Sequence, residues 1–431
     1  MRRILAEVLE SNSSAPDRDD HSGLPWREAT CLVKLLSSVP ESHHLPEDIK
    51  DTTLTVRRRA LFDYEYKPGT KIVLTPEECA ALVGRPADIP KTGSLRGRVA
   101  TYRTDINSDG FAERVVENSF LRVVIGPRYG ARIWEIHHKR AGWNPLHATY
   151  DFSKDWYEIG GQEDHISEQP GQGEFWNARF TEKEIVTDDS GFRGVYEFKS
   201  EKSKGITLIK EITVPVDAPL VYFRCTIKYA GAEKPPEDGK PDEFEMTFWP
   251  RVGVAVPEER KGSYVFVVPT KARLHRLRRG RGWRTPRCFG LSAPYMLAQD
   301  EDTGRCLALL LDPGVTHLGE IKEGRSEFET IEPKMRQVKV PKDGEQSYGY
   351  VLVVGDAGDA GPDGLSISTF GPRDGQETPV FALNTRESAG AVTLRARRSP
   401  VIVNMTEVEY PGLPKIAHGT AWLSPNGGKR K

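Results

Sequence analysis

From Val99 onward the chain is a long succession of short segments that alternate with period two, and helical periodicity is nearly absent across some three hundred residues. Segments such as RVVENSFLRVVIG, ARIWEIHH, GITLIKEITV, LVYFRCTIKY and YGYVLVVGD read as strands with one buried and one more polar face. The 40 glycines and 31 prolines fall largely between such segments, as turns between strands require. So many antiparallel strands without an internal repeat point to a mainly β chain built as a large sandwich rather than a propeller.

The ends differ. Residues 1–25 are polar, with SNSSAPDRDDHSG near the start, and are expected to be disordered or loosely docked. Residues 26–98 read as an appendage with two short helices. One runs from Trp26 through Leu32, Val33, Leu35 and Leu36; the other opens at Thr75-Pro76-Glu77-Glu78, where Thr75 caps and Glu78 completes a capping box. Residues 99–425 form the β domain. AGAEKPPEDGKPDE and GDAGDAGPDG are too charged or too glycine-rich to bury and read as surface loops.

Charge and composition exclude several classes. Lys and Arg number 61 and Asp and Glu 62, a formal net charge of −1, which supplies no long-range field for nucleic acid. No stretch of eighteen apolar residues is present, so no membrane partner is expected. The basic start MRRILAEVLE lacks the apolar run of a secretory signal, and five cysteines lie scattered without a CxxC pair. Both features lead to the expectation of a cytoplasmic protein with reduced thiols. GxSxG, P-loop and strand-to-helix GxGxxG signatures are absent as well.

Three stretches carry candidate chemistry. Between Trp156 and Trp176 the chain reads WYEIGGQEDHISEQPGQGEFW, which concentrates carboxylates, amides and His165 between indoles. It reads as a polar loop at the lip of a carbohydrate cleft, or more plainly as a solvated loop, and His165 beside Asp164 is a candidate proton donor or metal ligand. Asp105, Asn107, Asp109 and Glu113, with Gly110 between, place oxygen ligands as a structural calcium loop does, although Asp-Gly also makes a hairpin turn without metal. No other cofactor is expected. Residues 271–287, KARLHRLRRGRGWRTPR, pack basic side chains around Trp283. The stripe suits an anionic glycan, or else a hairpin whose charged faces are paired to acidic neighbours.

Several strand motifs resemble the galactose mutarotase-like (aldose epimerase-like) β-supersandwich superfamily. They are Glu117-Asn118-Ser119-Phe120-Leu121 with Gly130-Ala131-Arg132-Ile133, then Gly171-Gln172-Gly173-Glu174-Phe175-Trp176-Asn177, then Phe248-Trp249-Pro250-Arg251, and Phe328-Glu329-Thr330-Ile331-Glu332-Pro333. The resemblance implies an antiparallel supersandwich holding a sugar in its concave face. It implies Glu332 as catalytic base, with Gln172, Trp176, Trp249 and Arg251 lining the site and Arg132 and Trp134 as further candidates; His165 and Trp283, from the two stretches above, join them as candidates. Gln172 and Trp249 stand where the family carries its two histidines, and neither delivers a proton as histidine does. Glu332 also has a plainer reading as a solvated carboxylate at a strand end, and Trp249 as a core tryptophan. Three functions follow as expectations: an atypical aldose epimerase, a lyase acting on an anionic polysaccharide, or a non-catalytic carbohydrate-binding protein.

Overall fold

The computed structural model describes residues 54–55, 71–72 and 95–424, except 105, 107–110, 149–159, 168–174, 176–177, 203–204, 233–241, 279–286, 313, 324–327, 374–376, 387–389 and 396–399. Both helical candidates, most of the calcium loop (Asp105, Asn107 and Asp109), and Gln172, Trp176 and Trp283 lie outside the described residues.

The chain divides into two compact units. One comprises Met1–Ile89, Tyr102–Arg114 and Tyr150–Trp156; the other comprises Pro90–Thr101, Val115–Thr149 and Tyr157–Lys431. In the first, the strands Leu54–Thr55 and Lys71–Ile72 pair antiparallel, and the Glu113 carboxylate accepts the Ile106 N–H at 2.8 Å.

The second unit is a β-sandwich. One sheet runs, in spatial order, Leu274–Arg278, Tyr264–Pro269, Tyr295–Asp300, Cys306–Leu311, Gly344–Gly355, Leu220–Tyr229, Ile206–Pro215, Gly191–Lys199 and Thr181–Asp188. The facing sheet runs Arg287–Gly290, Thr316–Glu323, Phe328–Met335, Glu243–Ala255, Gln162–Ser167, Arg132–His138 and Leu121–Gly126. The paired strands whose register is known are all antiparallel. One continuous apolar core lies between the sheets, with Phe248 stacked on Tyr348 across it at 4.8 Å. Ile206–Pro215 alternates strictly between buried and half-buried positions, as a half-buried strand must, whereas Tyr264–Pro269 and Cys306–Leu311 are buried throughout.

The structure gives the Glu117-Asn118 motif a structural role. The Asn118 side-chain oxygen accepts the N–H groups of Phe120 and Leu121, both at 2.8 Å, and so shapes the turn into Leu121–Gly126. Its amide donates to the carbonyls of Pro215 (2.7 Å) and Ala218 (2.8 Å), which ties this turn to the other sheet. Glu117 pairs with Lys139 at 2.7 Å.

Part of the basic stripe is also structural. Arg276 and Arg278 both pair with Glu301, and Leu274–Arg278 is the strand of a hairpin, so the described portion is a charged hairpin face with an acidic neighbour.

Replacing Asn118 with Ala removes four hydrogen bonds, three of them buried and one part-buried, and leaves backbone groups unsatisfied, so a loss of about 3 kcal/mol in urea unfolding is expected. A loss below about 0.5 kcal/mol would contradict this role.

Candidate functional site

The residues between Trp156 and Trp176 are not all loop. Gln162–Ser167 is a strand, and Gln162 through Ile166 are buried. The reading of a solvated lip is therefore corrected for these residues. The strand escapes the usual signal because its contrast is not apolar against polar: both rows of QEDHIS carry hydrogen-bonding groups, and both find partners.

The inward row is Gln162 and Asp164. Lys210, fully buried in the facing sheet, pairs with Asp164 at 2.6 Å and donates to Gln162 Oε1 at 3.1 Å. The Gln162 amide donates to the Tyr350 hydroxyl at 2.5 Å, and that hydroxyl donates to Asp164. Burial, with Asp164 beside them, pushes the Cys225 thiol and the Tyr350 phenol up, so both remain protonated at neutral pH.

The outward row is Glu163 and His165, and here the register assembles a charged lattice. Glu163 lies opposite Arg251, and His165 opposite Trp249. Arg132 precedes Ile133, the partner of Gln162, and so comes beside Glu163. On the far side Glu332 follows Ile331, the partner of Val252, and comes beside Arg251; Glu320 lies opposite Glu332, and Lys322 opposite Thr330. Five adjacent strands thus present Arg132, Glu163, Arg251, Glu332 and Glu320 in one row.

The contacts follow that layout. Glu163 binds Arg132 and, at 2.6 Å, Arg251; it also accepts from His165 Nε2 at 3.0 Å. Glu332 lies 3.4 Å from Arg251 Nε, accepts from Lys322 at 2.7 Å, and takes the Thr330 hydroxyl at 2.8 Å. Glu320 pairs with Lys322 at 3.6 Å and Lys334 at 2.5 Å. Above the row the His165 ring stacks on Trp249 (5.1 Å between centroids, 12° between planes), and Lys334 Nζ lies 5.9 Å from the same indole.

Local backbone makes this close approach feasible. Gly160 and Gly161 both have positive φ, 76° and 81°. A Cβ on Gly161 would come within 2.5 Å of the Ile133 carbonyl and 3.3 Å of the Arg132 side chain, while the Gly160 carbonyl accepts from Arg132 at 2.6 Å. Between Met246 and Val252 the Glu243–Ala255 strand has a ladder partner on one side only, since Val338–Pro341 pairs up to Met246 and Phe328–Met335 begins at Val252. Pro250, which cannot donate to a ladder, falls in this gap, and so does Trp249.

Electrostatics follow from the pairing. Burial alone would raise Glu163, but Arg132 and Arg251 outweigh it and hold the carboxyl far below the usual carboxylate range. Glu332 is treated the same way: burial raises it, and Arg251 and Lys322 more than offset that, so it too lies below its ordinary value. Burial pushes the Arg132 guanidinium down, with Glu163 opposing.

The structure therefore brings together Arg132, His165, Trp249, Arg251 and Glu332. Glu332 is buried rather than solvated at a strand end; the strand continues through Pro333 to Met335. Trp249 is half-buried and polar-sided rather than part of the core. Trp134 is fully buried beneath Arg132, edge-on to Tyr129. His138 is committed elsewhere. Its Nδ1 accepts the Ala141 N–H (3.1 Å), which places the proton on Nε2 for donation to the Thr369 hydroxyl (2.6 Å). Glu320, Lys322, Lys334 and Lys210 were not anticipated. The signal for the first three was present as complementary charges two apart, Glu320/Lys322 and Glu332/Lys334, in consecutive strands. Among the described residues no group of three or more His, Cys, Asp or Glu is arranged to hold a metal ion. No described helix is long and apolar enough to cross a membrane.

No family model and no curated protein matches the chain. Solved structures similar to it include a galactose mutarotase-like protein from Clostridium acetobutylicum (TM-score 0.46, 8% identity, covering 60% of this chain and 99% of that one). A putative aldose 1-epimerase from Klebsiella pneumoniae has a TM-score of 0.43 at 10% identity, over 59% of this chain and 83% of its own. A 4-alpha-glucanotransferase from Thermococcus litoralis has a TM-score of 0.38 at 15% identity, over 59% of this chain and 39% of its own. At such identities no residue's role passes from those proteins to this chain.

Because the folded values of Glu163 and Glu332 are depressed, the stability they contribute is fully present above the unfolded glutamate value of about 4.3 and is lost as pH falls through the folded values. Glu163→Gln leaves two buried guanidinium groups poorly paired and is expected to cost about 3–5 kcal/mol at pH 7. The gap between variant and wild type should narrow when denaturation is repeated below about pH 4. A gap independent of pH would contradict the ionised assignment.

Proposed function

We propose that the protein binds a carbohydrate at the face bearing Trp249, His165, Arg251 and Glu332, and holds it without chemical turnover. The observation that carries this reading is the burial of a charged lattice on the outward face of one sheet, beside a half-buried indole. Replacing buried ion pairs by apolar residues is often neutral or stabilising, so a fold that keeps several in one place is retaining them for more than stability. The side chains present are those that grip sugars: an indole for C–H faces, carboxylates and basic groups for hydroxyls.

The case for holding rather than converting rests on Glu332. A general base works best with a pKa near the working pH, and Glu332 is held below the ordinary carboxylate range by Arg251 and Lys322. Ring opening also needs an acid; His165 is the histidine nearest the indole, and its Nε2 proton is already given to Glu163. The lyase reading is less well supported, since Arg251, the guanidinium on this face that would neutralise a uronate carboxylate, is committed to two carboxylates of the protein.

Titration calorimetry with mono- and oligosaccharides, paired with NMR exchange of α and β anomers, tests this. Binding without acceleration of anomer exchange is expected, with Glu332→Gln weakening affinity about tenfold, some 1.4 kcal/mol. Accelerated exchange that disappears in Glu332→Gln would overturn it in favour of an epimerase.

A further inference from the structure

The C-terminal strands form a further sheet, in spatial order Ala357–Gly361, Gly364–Phe370, Thr378–Asn384, Ile416–Leu423 and Thr406–Val408. A chain of hydrogen bonds joins it to the end of the strand Arg132–His138, and its contacts fix the direction of each donor. The Ala141 N–H donates to His138 Nδ1 at 3.1 Å, so Nδ1 carries no proton. The Thr369 hydroxyl donates to Asp356 at 3.1 Å, which leaves its oxygen to accept from His138 Nε2 at 2.6 Å. Asp356 also accepts the Phe370 N–H at 2.9 Å. His138 and Thr369 are both fully buried.

The neutral imidazole is thus the joint between two pieces of structure, the turn 138–143 on its Nδ1 side and the five-stranded sheet on its Nε2 side. The turn closes through the His138 N–H, which donates to the Trp143 carbonyl at 2.7 Å, with Gly142 at a φ of 58°. Arg305, from the turn before Cys306–Leu311, donates to the Ala141 carbonyl at 3.3 Å, and its charge does not change near neutrality. The charged groups around the ring are Asp356, 3.9 Å from Nε2, Arg140, which pairs with Asp356 at 3.5 Å, and Arg305. Burial opposes the imidazolium most, Asp356 favours it, and the two guanidinium groups oppose it. Lys139, next along the chain, is paired with Glu117.

We propose that His138 is a pH-operated latch on the 138–143 turn. Neutral, it accepts the Ala141 N–H and holds the turn; protonated, it has no lone pair to offer, sets one N–H against another, and releases the turn. The far side of the ring behaves differently. Nε2 donates in either state, and Thr369 and Asp356 go on accepting, so the link to the five-stranded sheet persists. Opening the turn admits water to the ring and returns it to the ordinary histidine value of about 6.5, which lies above its folded one. The turn is therefore fully held above about pH 6.5 and loses protection by up to about tenfold per pH unit below it, until the folded ring is charged as well. This latch stands whether or not the protein binds a carbohydrate.

Residue-resolved hydrogen–deuterium exchange of the intact protein at pH 7, 6 and 5, with protection referred to the unstructured rate at each pH, reads both sides of the ring. Protection of the Ala141 amide is expected to fall about fivefold or more between pH 7 and pH 5, while that of the Phe370 amide falls less than about twofold. His138→Asn sets a non-titrating amide oxygen near the place of Nδ1 and should abolish the fall at Ala141. His137→Gln, which removes the neighbouring histidine, should leave the fall in place. Ala141 protection that is unchanged from pH 7 to pH 5 overturns the latch. An equal fall at Ala141 and Phe370 also overturns it, because the whole region then loosens together. So does a fall that survives in His138→Asn or vanishes in His137→Gln. Should His138→Asn not fold, the wild-type comparison of the two amides and the His137→Gln variant still decide.

Discussion

The strand Gln162–Ser167 sets the terms for everything around it. It sits between Arg132–His138 and Glu243–Ala255 in the middle of a sheet, with residues 162–166 buried, and four of those five side chains are polar. A strand of this kind is compatible with a folded state only when each row has partners of opposite charge or complementary hydrogen bonding. Lys210 and Tyr350 meet the inward row from the facing sheet; Arg132 and Arg251 meet the outward row from the two neighbouring strands. A register slip of one residue would point Glu163 and His165 at Lys210 and the apolar core and Asp164 away from them, so the polar groups on both faces also define the pairing.

The two rows do different things. The inward one is closed: Asp164, Gln162, Tyr350 and Lys210 bind one another inside the core, so it anchors the strand. The outward row grades from fully enclosed at Arg132 to partly exposed at Lys322 and Lys334. A graded row of this sort holds Arg251 and Glu332 from two sides each and leaves the partly exposed Lys322 and Lys334 at its accessible end.

Much of the fold could be read from the residues. Strict alternation in ITLIKEITVP and continuous apolar runs such as CLALLL mark the half-buried and wholly buried strands of a sandwich, and the structure has both. QEDHIS could not be read this way, because periodicity works by contrast between apolar and polar and that contrast is missing when both faces are polar. Motif likeness picked out Arg132, Trp249, Arg251 and Glu332, and the strand register then gathers them on one face. It missed Lys210, which no local signal marks, and Glu320, Lys322 and Lys334, whose complementary charges two apart are visible in the sequence while their pairing across strands is not. Asn118 belongs to the same motifs and serves the turn instead, so a family-like pattern also marks residues that shape the fold.

The central claim is that the outward face of Gln162–Ser167 and its neighbours receives a sugar. Hydrogen–deuterium exchange measured with and without a saturating sugar, chosen as the tightest binder in the calorimetric series, addresses it most directly, because backbone protection reports where a ligand sits without presuming any residue's role. The account predicts added protection concentrated in Gln162–Ser167, Glu243–Ala255, Phe328–Met335 and Thr316–Glu323, with the outer strands Gly191–Lys199 and Thr181–Asp188 unchanged. Protection confined to those outer strands, or no change anywhere at saturation, would contradict it.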